Sequence, residues 1–249
     1  MTDANRAEVC VTACADLFRG VGEIMVSPMT TVVSIGARLA RMTFSPDILL
    51  TDGEALLLAD TPPLGQSGAI EGWMPFGRVF ETLAWGRRYV VMGANQIDRY
   101  GNQNLSALGP LQHPIRQMFG VRGSPGNTIN HATSYWVGNH SPRAFCDAVD
   151  VVSGIGWDKV DATNPAFRFV DVRAVVSNLG AFDFNGPNHT MRAVSLHPGV
   201  TADDVREATS FEVHGLSDAG ETRLPTTDEL ELIRDVIDPK GLRDKEVHV

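Results

Sequence analysis

Apolar positions in the first part of the chain recur with two different spacings. A spacing of three to four residues predicts a helix, and an unbroken apolar run predicts a strand that is buried on both faces. The pattern first predicts a helix that is capped by Asp3 or Thr2 and ends at Gly20. It then predicts a strand, a helix and a strand over residues 23–27, 30–43 and 47–51. This alternation indicates a parallel sheet of the α/β class.

The pattern breaks down between Asp52 and Gly77. This segment is rich in glycine and proline and has no period, which predicts a long loop. It also carries large apolar side chains, among them Trp73 and Phe76. A loop of this kind is expected to pack and to line a binding site.

Later apolar segments continue the alternation. They predict strands over residues 89–92, 136–138, 148–153 and 191–197, and helices over residues 127–132, 201–209 and 227–236. Residues 167–184 predict two β-segments around a turn at 178–180. We therefore expect one α/β domain over residues 1–249, with an open, mostly parallel sheet, flanking helices and a charged tail from about residue 239.

Composition and charge narrow the possible functions. The 249 residues are 43% apolar and 20% charged, which is typical of a globular protein, and the net charge of −9 argues against a nucleic-acid partner. The N-terminus does not resemble a signal peptide, and no apolar run approaches the roughly 18 residues of a membrane span. We expect a soluble, cytoplasmic protein without a membrane partner.

Familiar cofactor and nucleophile motifs are incomplete. Neither Gly20-Val-Gly22 nor Gly154-Ile-Gly156 has the strand–turn–helix setting of a dinucleotide site. Ser67 lies in a loop rather than in a nucleophile elbow. The seven histidines and three cysteines form no zinc-ligand pattern. We therefore expect no metal and no redox cofactor.

Two polar segments stand where α/β proteins place their ligands. Gly93, Asn95 and Gln96 follow a predicted buried strand, and the carboxyl edge of an open sheet forms a binding crevice. The amides of Asn95 and Gln96 can donate to a carbonyl oxygen or an oxyanion. The second segment opens a predicted helix, whose free N–H groups can bind a phosphate or a carbonyl. Its candidate contacts are Gly123, Ser124, Gly126 and Asn127.

Four segments in order resemble a known family: residues 46–54, 92–109, 122–130 and 175–211. The most specific parts are GANQIDRYGN at 93–102, LGAFDF at 179–184 and HPGV at 197–200. They are similar to the beta subunits of class I coenzyme A transferases. The resemblance implies the fold of that family, an acyl-CoA substrate, and an alpha-subunit partner in an α2β2 or larger heteromer that holds the acyl-CoA at the α/β junction.

The chain departs from this family at one chemically important position. In the transferring members, a beta-subunit glutamate after the corresponding strand attacks the acyl thioester, whereas the matching stretch here reads Thr51-Asp52-Gly53-Glu54. Asp52 falls nearest the nucleophile position and is one methylene shorter, a loss of about 1.5 Å of reach. Such a misplacement can cost about 10²-fold in rate. Transfer through a covalent enzyme thioester is therefore not expected.

This departure points to one branch of the family. Among its members, the chain is most similar to the ring-opening hydrolases of bacterial steroid degradation. The likeness implies a hydrolase or C–C lyase that opens the last steroid ring of a cyclic β-ketoacyl-CoA by retro-Claisen cleavage. It assigns the glutamate base to the alpha subunit. Coenzyme A is then part of the substrate, and no separate cofactor is needed.

The same likeness suggests roles for the candidate residues. Asn95 and Gln96, with the 123–127 turn, would orient the acyl group, and Trp73 and Phe76 would shield the ring from water. Asp52 and Glu54 would lie behind the residues that contact substrate. Arg99 and Arg122 are candidates for pairing with a substrate carboxylate or a CoA phosphate.

Two other functions stay open at this point. In the first, Asp52 or Glu54 has taken over as the nucleophile of a true CoA transferase. In the second, the chain is a non-catalytic scaffold for a partner that carries all the chemistry, because no complete set of acid, base and nucleophile is visible.

Overall fold

A ten-stranded sheet forms the centre of the computed structural model, which describes residues 3–52 and 55–247. Its strands are β1 (Met25–Pro28), β2 (Leu49–Thr51), β3 (Leu56–Leu58), β4 (Ile70–Trp73), β5 (Arg88–Gly93), β10 (Ala132–Val137), β11 (Asp171–Ser177), β12 (Gly180–Asp183), β13 (Arg192–Leu196) and β14 (Gly220–Glu221). Two small antiparallel pairs lie outside it: β6 (Gln96–Ile97) with β7 (Gln103–Asn104), and β8 (Ala107–Leu108) with β9 (Arg116–Gln117).

The order across the sheet is β4-β3-β2-β1-β5-β10-β11-β12-β13-β14. Neighbouring strands are parallel from β2 to β11, antiparallel pairs extend both sides, and the short β14 pairs parallel to β13. The predicted open, mostly parallel sheet is confirmed. Its parallel centre explains the unbroken apolar runs, because helices or loops cover both faces there.

Strand β5 shows how the two faces are filled. Tyr89 and Val91 face a core that contains α1 and α2, whereas Val90 and Met92 face a second core on the other side of the sheet. Side chains alternate between the faces with a period of two, so an apolar residue is needed at every position. Strand β5 therefore separates two cores.

Six α-helices surround the sheet in the described residues: α1 (Arg6–Asp16), α2 (Thr31–Met42), α3 (Phe76–Trp85), α4 (Ser124–Asn130), α5 (Ala202–Glu207) and α6 (Thr227–Glu231), the last continuing as a π-helical turn to Ile237. None of them combines the length and the apolar composition that a bilayer crossing requires. The predicted starts of the helices over 30–43 and 201–209 are confirmed, and Thr30 and Thr201 are the N-cap residues of α2 and α5.

The predicted cap of α1 at Asp3 is wrong, and Thr2 lies outside the described residues. Asn5 caps this helix: its side chain accepts from the Glu8 N–H, and the Glu8 carboxylate accepts from the Asn5 N–H. This reciprocal arrangement satisfies two N–H groups at once, and it requires an acidic residue three positions after the cap.

Two other expectations are corrected. The segment from 52 to 77 is not one long loop, because β3 and β4 extend the sheet edge and α3 begins at Phe76. These strands have three and four residues, which is too short for a periodic signal. The strand predicted over 148–153 is wrong: this stretch is irregular and bonds to the backbone of Gln103.

The charged C-terminal segment packs onto the body of the protein. The Arg243 guanidinium is buried and donates to the carboxylates of Asp238 and Glu8. The Glu246 carboxylate accepts from the N–H groups of Thr31 and Val32 at the start of α2. A carboxylate at a helix N-terminus satisfies donors that have no partner within the helix.

The crossing of α1 and α2 gives a test of the packing. A Cβ on Gly36 would lie 2.9 Å from the Ala15 nitrogen and 3.0 Å from the Cys14 Cβ. We expect Gly36→Ala to lower the free energy of unfolding by about 1–3 kcal/mol through overpacking, measured by urea denaturation. Gly77→Ala in α3 is the matched control, because a Cβ there meets nothing within 4 Å; equal effects would contradict the close helix approach.

Candidate active site

A cavity of about 390 Å³ lies on one face of the sheet, where α3 and α4 cover β1 and β5. Met29, which follows β1, and Gly93, which ends β5, both lie in its wall. Helix α3 and the segment from Arg116 to Ser124 form the other sides. The cavity therefore borders the carboxyl ends of two parallel strands, where open α/β sheets bind ligands.

The walls of the cavity are mostly apolar but include positively charged side chains. Its apolar side chains come from α3, from β5 and from the 116–124 segment, and include Phe76, Phe80, Leu83, Met92, Met118 and Phe119. Three arginines also line it: Arg88, Arg116 and Arg122. Within residues 3–52 and 55–247, no aspartate, glutamate or histidine lines it. A local field of this kind favours an anion with an apolar body, despite the net charge of −9.

Arg88 is the important residue that the sequence analysis missed. It starts β5 and is only 1% exposed. Its Nη1 donates to the Ser27 hydroxyl at 3.2 Å, and its Nη2 donates to the Asn127 Oδ1 at 2.5 Å. A signal was present, because Arg88 has the same strand parity as Val90 and Met92 and must point to the same face.

The electrostatic effect of Arg88 reaches a neighbouring histidine. Burial, together with the nearby Arg88 charge, lowers the pKa of His131 to about 4. His131, which follows α4, is therefore neutral at pH 7. Arg88 therefore has a neutral imidazole near it and not a second cation.

The two amides predicted side by side have different surroundings. Asn95 lines the cavity, is exposed, and makes no side-chain hydrogen bond to a described residue. Gln96 does not line the cavity: its Nε2 donates to Asp150, and its Oε1 accepts from the Asn104 amide. Asn95 can therefore contact a ligand, whereas Gln96 holds the loop behind it.

The 123–127 turn lines the cavity through Gly123, Ser124 and Asn127, but it offers few free N–H groups. The Ser124 N–H donates to the Val121 carbonyl, the Asn127 N–H donates to the Gly123 carbonyl, and the proline between them has no N–H. Gly126 does not line the cavity. The site for a phosphate or carbonyl that the sequence predicted from free main-chain N–H groups is therefore not formed. The side chains of this turn are left as the polar groups that can face the cavity.

The two aromatic residues that were predicted to shield the ring, Trp73 and Phe76, lie in different places relative to the cavity. Phe76 lies in the cavity wall, whereas Trp73 on β4 is outside it and is 69% exposed. Three large apolar side chains are almost fully exposed: Phe119 (94%) in the cavity wall, Trp85 (89%) at the end of α3, and Ile115 (87%) next to the lining residue Arg116 in sequence. We call Trp85, Ile115 and Phe119 the apolar rim. Large apolar side chains that are exposed together are typical of a protein interface.

Of the remaining candidate residues, Arg122 lines the cavity, and Asp52 and Arg99 do not. Asp52 does not line the cavity, and its Oδ1 accepts from the N–H groups of Ala55 and Leu56. Glu54 lies outside the described residues. Arg122 lines the cavity, whereas Arg99 forms an exposed ion pair with Asp147.

The described residues hold no cluster of three potential metal ligands. Two buried histidines, His197 and His140, have structural partners. Those of His197 are the Ser177 carbonyl and the Thr222 hydroxyl, and those of His140 are the hydroxyls of Ser177 and Thr209.

Known proteins resemble this chain over its full length, although no protein-family model matches it. The cholesterol ring-cleaving hydrolase IpdB subunit of Mycobacterium tuberculosis is 77% identical over 98% of this chain and 99% of its own length. The crystal structure of IpdAB from Rhodococcus jostii contains a chain that is 68% identical, with a TM-score of 0.97 and complete coverage of both chains.

A more distant structure confirms the predicted fold. Glutaconate coenzyme A-transferase from Acidaminococcus fermentans superimposes with a TM-score of 0.80 at 24% identity, covering 96% of both chains. The resemblance to coenzyme A transferase beta subunits is thereby confirmed for the architecture. At 77% and 68% identity over essentially the whole length, the chain belongs to the family of cholesterol ring-cleaving hydrolase IpdB subunits.

Proposed function

We propose that this chain is the beta subunit of a heteromeric hydrolase that opens the last steroid ring of a cyclic β-ketoacyl-CoA. The observation that carries the proposal is the cavity, which has apolar walls, arginine charges and an amide but no proton acceptor such as a carboxylate or imidazole among its described lining residues. Such a cavity can bind and polarise an anionic thioester with an apolar ring. It needs a partner to supply the base.

The reaction requires hydrolysis of a carbon–carbon bond. Water adds to the ring ketone and gives its proton to the base, which forms a tetrahedral alkoxide. The alkoxide collapses to a carboxylic acid as the bond to the α-carbon breaks, and the electron pair moves into the thioester enolate. The enolate carbon then takes a proton. The sum is substrate plus water giving one ring-opened acyl-CoA with a new carboxylate.

Two developing anions need stabilisation: the alkoxide and the enolate. The Arg88 guanidinium is held by Ser27 and Asn127 and is a buried part of the cavity wall. A preorganised charge in such surroundings stabilises an oxyanion without reorganising at the moment of reaction. We assign this role to Arg88, with the Asn95 amide as a second donor.

The apolar walls would shield the ring and exclude water. Phe76, Phe80 and Leu83 from α3 face the cavity together. An apolar ring carries little hydrogen-bonding information, so shape and burial would select it. The coenzyme A thioester stabilises the leaving enolate, and no separate cofactor is part of the proposal.

The partner would dock on the apolar rim. Trp85, Ile115 and Phe119 are almost fully exposed, and Phe119 lies in the wall of a cavity that lacks a base among its described lining residues. The family resemblance assigns the base to a glutamate of the alpha subunit, within an α2β2 assembly. A cytoplasmic location fits the same proposal, because Cys10, Cys14 and Cys146 are free thiols, as in a reducing compartment.

The transferase alternative receives no support at Asp52. Its carboxylate accepts hydrogen bonds from the turn that follows it and does not line the cavity. A nucleophile has to approach the thioester carbonyl carbon at the correct distance and angle.

The function can be tested on the complex of this chain with its alpha partner. We expect the complex to convert a cyclic β-ketoacyl-CoA to a product that has gained one water and contains a new carboxylate. Mass spectrometry of the CoA ester measures this conversion. Acyl exchange to acetate or succinate without a ring-opened product would contradict the proposal.

Arg88 separates a catalytic beta subunit from a scaffold. We expect Arg88→Met to lower kcat/KM of the complex by about 10²–10³-fold, because it removes a fixed charge near the developing oxyanion. The adjacent, exposed Arg87 gives the matched control Arg87→Met, which should leave kcat/KM unchanged. If both variants keep wild-type kinetics, the chain is a scaffold.

The apolar rim predicts where the partner binds. We expect Phe119→Asp to weaken association of the subunits by at least about tenfold, since it places a charge in an apolar interface, measured by sedimentation or size-exclusion titration. Phe169→Asp changes another exposed phenylalanine and serves as the control. Unchanged association of Phe119→Asp would exclude the rim as the docking surface.

A further inference from the structure

Gln103 ties together three segments, two of which line the cavity: the end of β5 and the start of α4. It is fully buried. Its main-chain N–H donates to the Gly154 carbonyl, and its carbonyl accepts from the N–H groups of Ser153 and Gly154. Its side chain bonds to Gly93 at the end of β5 and to Ser124 at the start of α4. The main-chain hydrogen bonds thus hold the backbone of Gln103 in place and limit where its side chain can point.

The direction of these side-chain bonds follows from chemistry. The Gly93 carbonyl can only accept, so the Gln103 amide must present its Nε2 there, at 2.5 Å. The Gln103 Oε1 then faces the Ser124 hydroxyl at 2.6 Å and can only accept from it. The single hydroxyl proton of Ser124 is therefore directed to Gln103.

This leaves the Ser124 oxygen with lone pairs and no proton to donate. Ser124 lines the cavity, and no described group donates to its hydroxyl oxygen. The space behind the pair is closed, because a Cβ on Gly154 would lie 2.9 Å from the Ser124 Oγ and 3.2 Å from the Gln103 Oε1. The backbone of Gly154 therefore packs directly against the hydrogen-bonded pair of Ser124 and Gln103.

We propose that Gln103 is a positioning residue that fixes the Ser124 hydroxyl as a hydrogen-bond acceptor in the cavity, where it holds the water that adds to the ring ketone. The inference rests on the hydrolytic function proposed above. A water molecule held by one acceptor on this chain and by the base of the partner has both hydrogens engaged. Its lone pair is then directed to the ketone carbon, the alignment that the addition step needs.

The test is Gln103→Glu in the α/β complex, because its result depends on pH. When protonated, the introduced carboxyl reproduces the pattern: its O–H donates to the Gly93 carbonyl, and its C=O accepts from Ser124. When ionised, it repels the Gly93 carbonyl. Burial raises the pKa of such a carboxyl, so the variant should be active at low pH. Above that pKa its kcat, relative to wild type, should fall about tenfold per pH unit.

Three further variants complete the test. Gln103→Met should have low kcat at every pH, and Gln66→Glu, the same change at an exposed glutamine, should follow the wild-type profile. Ser124→Ala removes the acceptor itself and should lower kcat about 10–100-fold with little change in KM. Assembly of each complex is checked by size exclusion.

The outcomes separate this inference from the function on which it rests. If the wild-type complex forms no ring-opened product, the proposed function fails. If the wild-type complex is active but Gln103→Glu has the wild-type pH profile, the role of Gln103 is refuted. If that variant does not assemble, Ser124→Ala decides: wild-type kcat refutes the proposal, and a lowered kcat with unchanged KM supports it.

Discussion

The site depends on one buried charge, the guanidinium of Arg88 on the face of a parallel sheet. A cation removed from water is stable only where its N–H groups have partners, and two of them are Ser27 on β1 and Asn127 on α4. These contacts join two strands and a helix around one positive group. The same requirement explains why Asn127 presents its oxygen to Arg88 and is not a free amide in the cavity wall.

Amide side chains form a second layer behind the wall. Gln96 bonds to both Asp150 and Asn104, and Gln103 connects β5 to α4. Buried amides are stable only when both ends are bonded, and their donor and acceptor ends then orient their neighbours. In this chain such groups shape the cavity without lining it, so a polar residue near a site is not by itself a ligand contact.

The cavity and the apolar rim belong together physically. A half-site with cationic and apolar walls can bind an acyl-CoA, but hydrolysis also needs a base, and exposed Phe119 and Trp85 need a cover. One partner surface would satisfy both needs. Dividing the base and the binding wall between two chains would make catalysis depend on assembly.

The sequence by itself determined the elements whose signals are local. The unbroken run 89–92 identified a strand buried on both faces, Thr30 and Thr201 identified helix starts, and the GANQIDRYGN motif identified the family. Tertiary structure decided what depends on distant partners. It turned Asn95 towards the cavity and Gln96 towards Asp150, placed Arg88 in the wall, and paired the short β3 and β4. Neighbouring amides have the same local pattern, and only the groups that fold against them determine which one can meet a ligand.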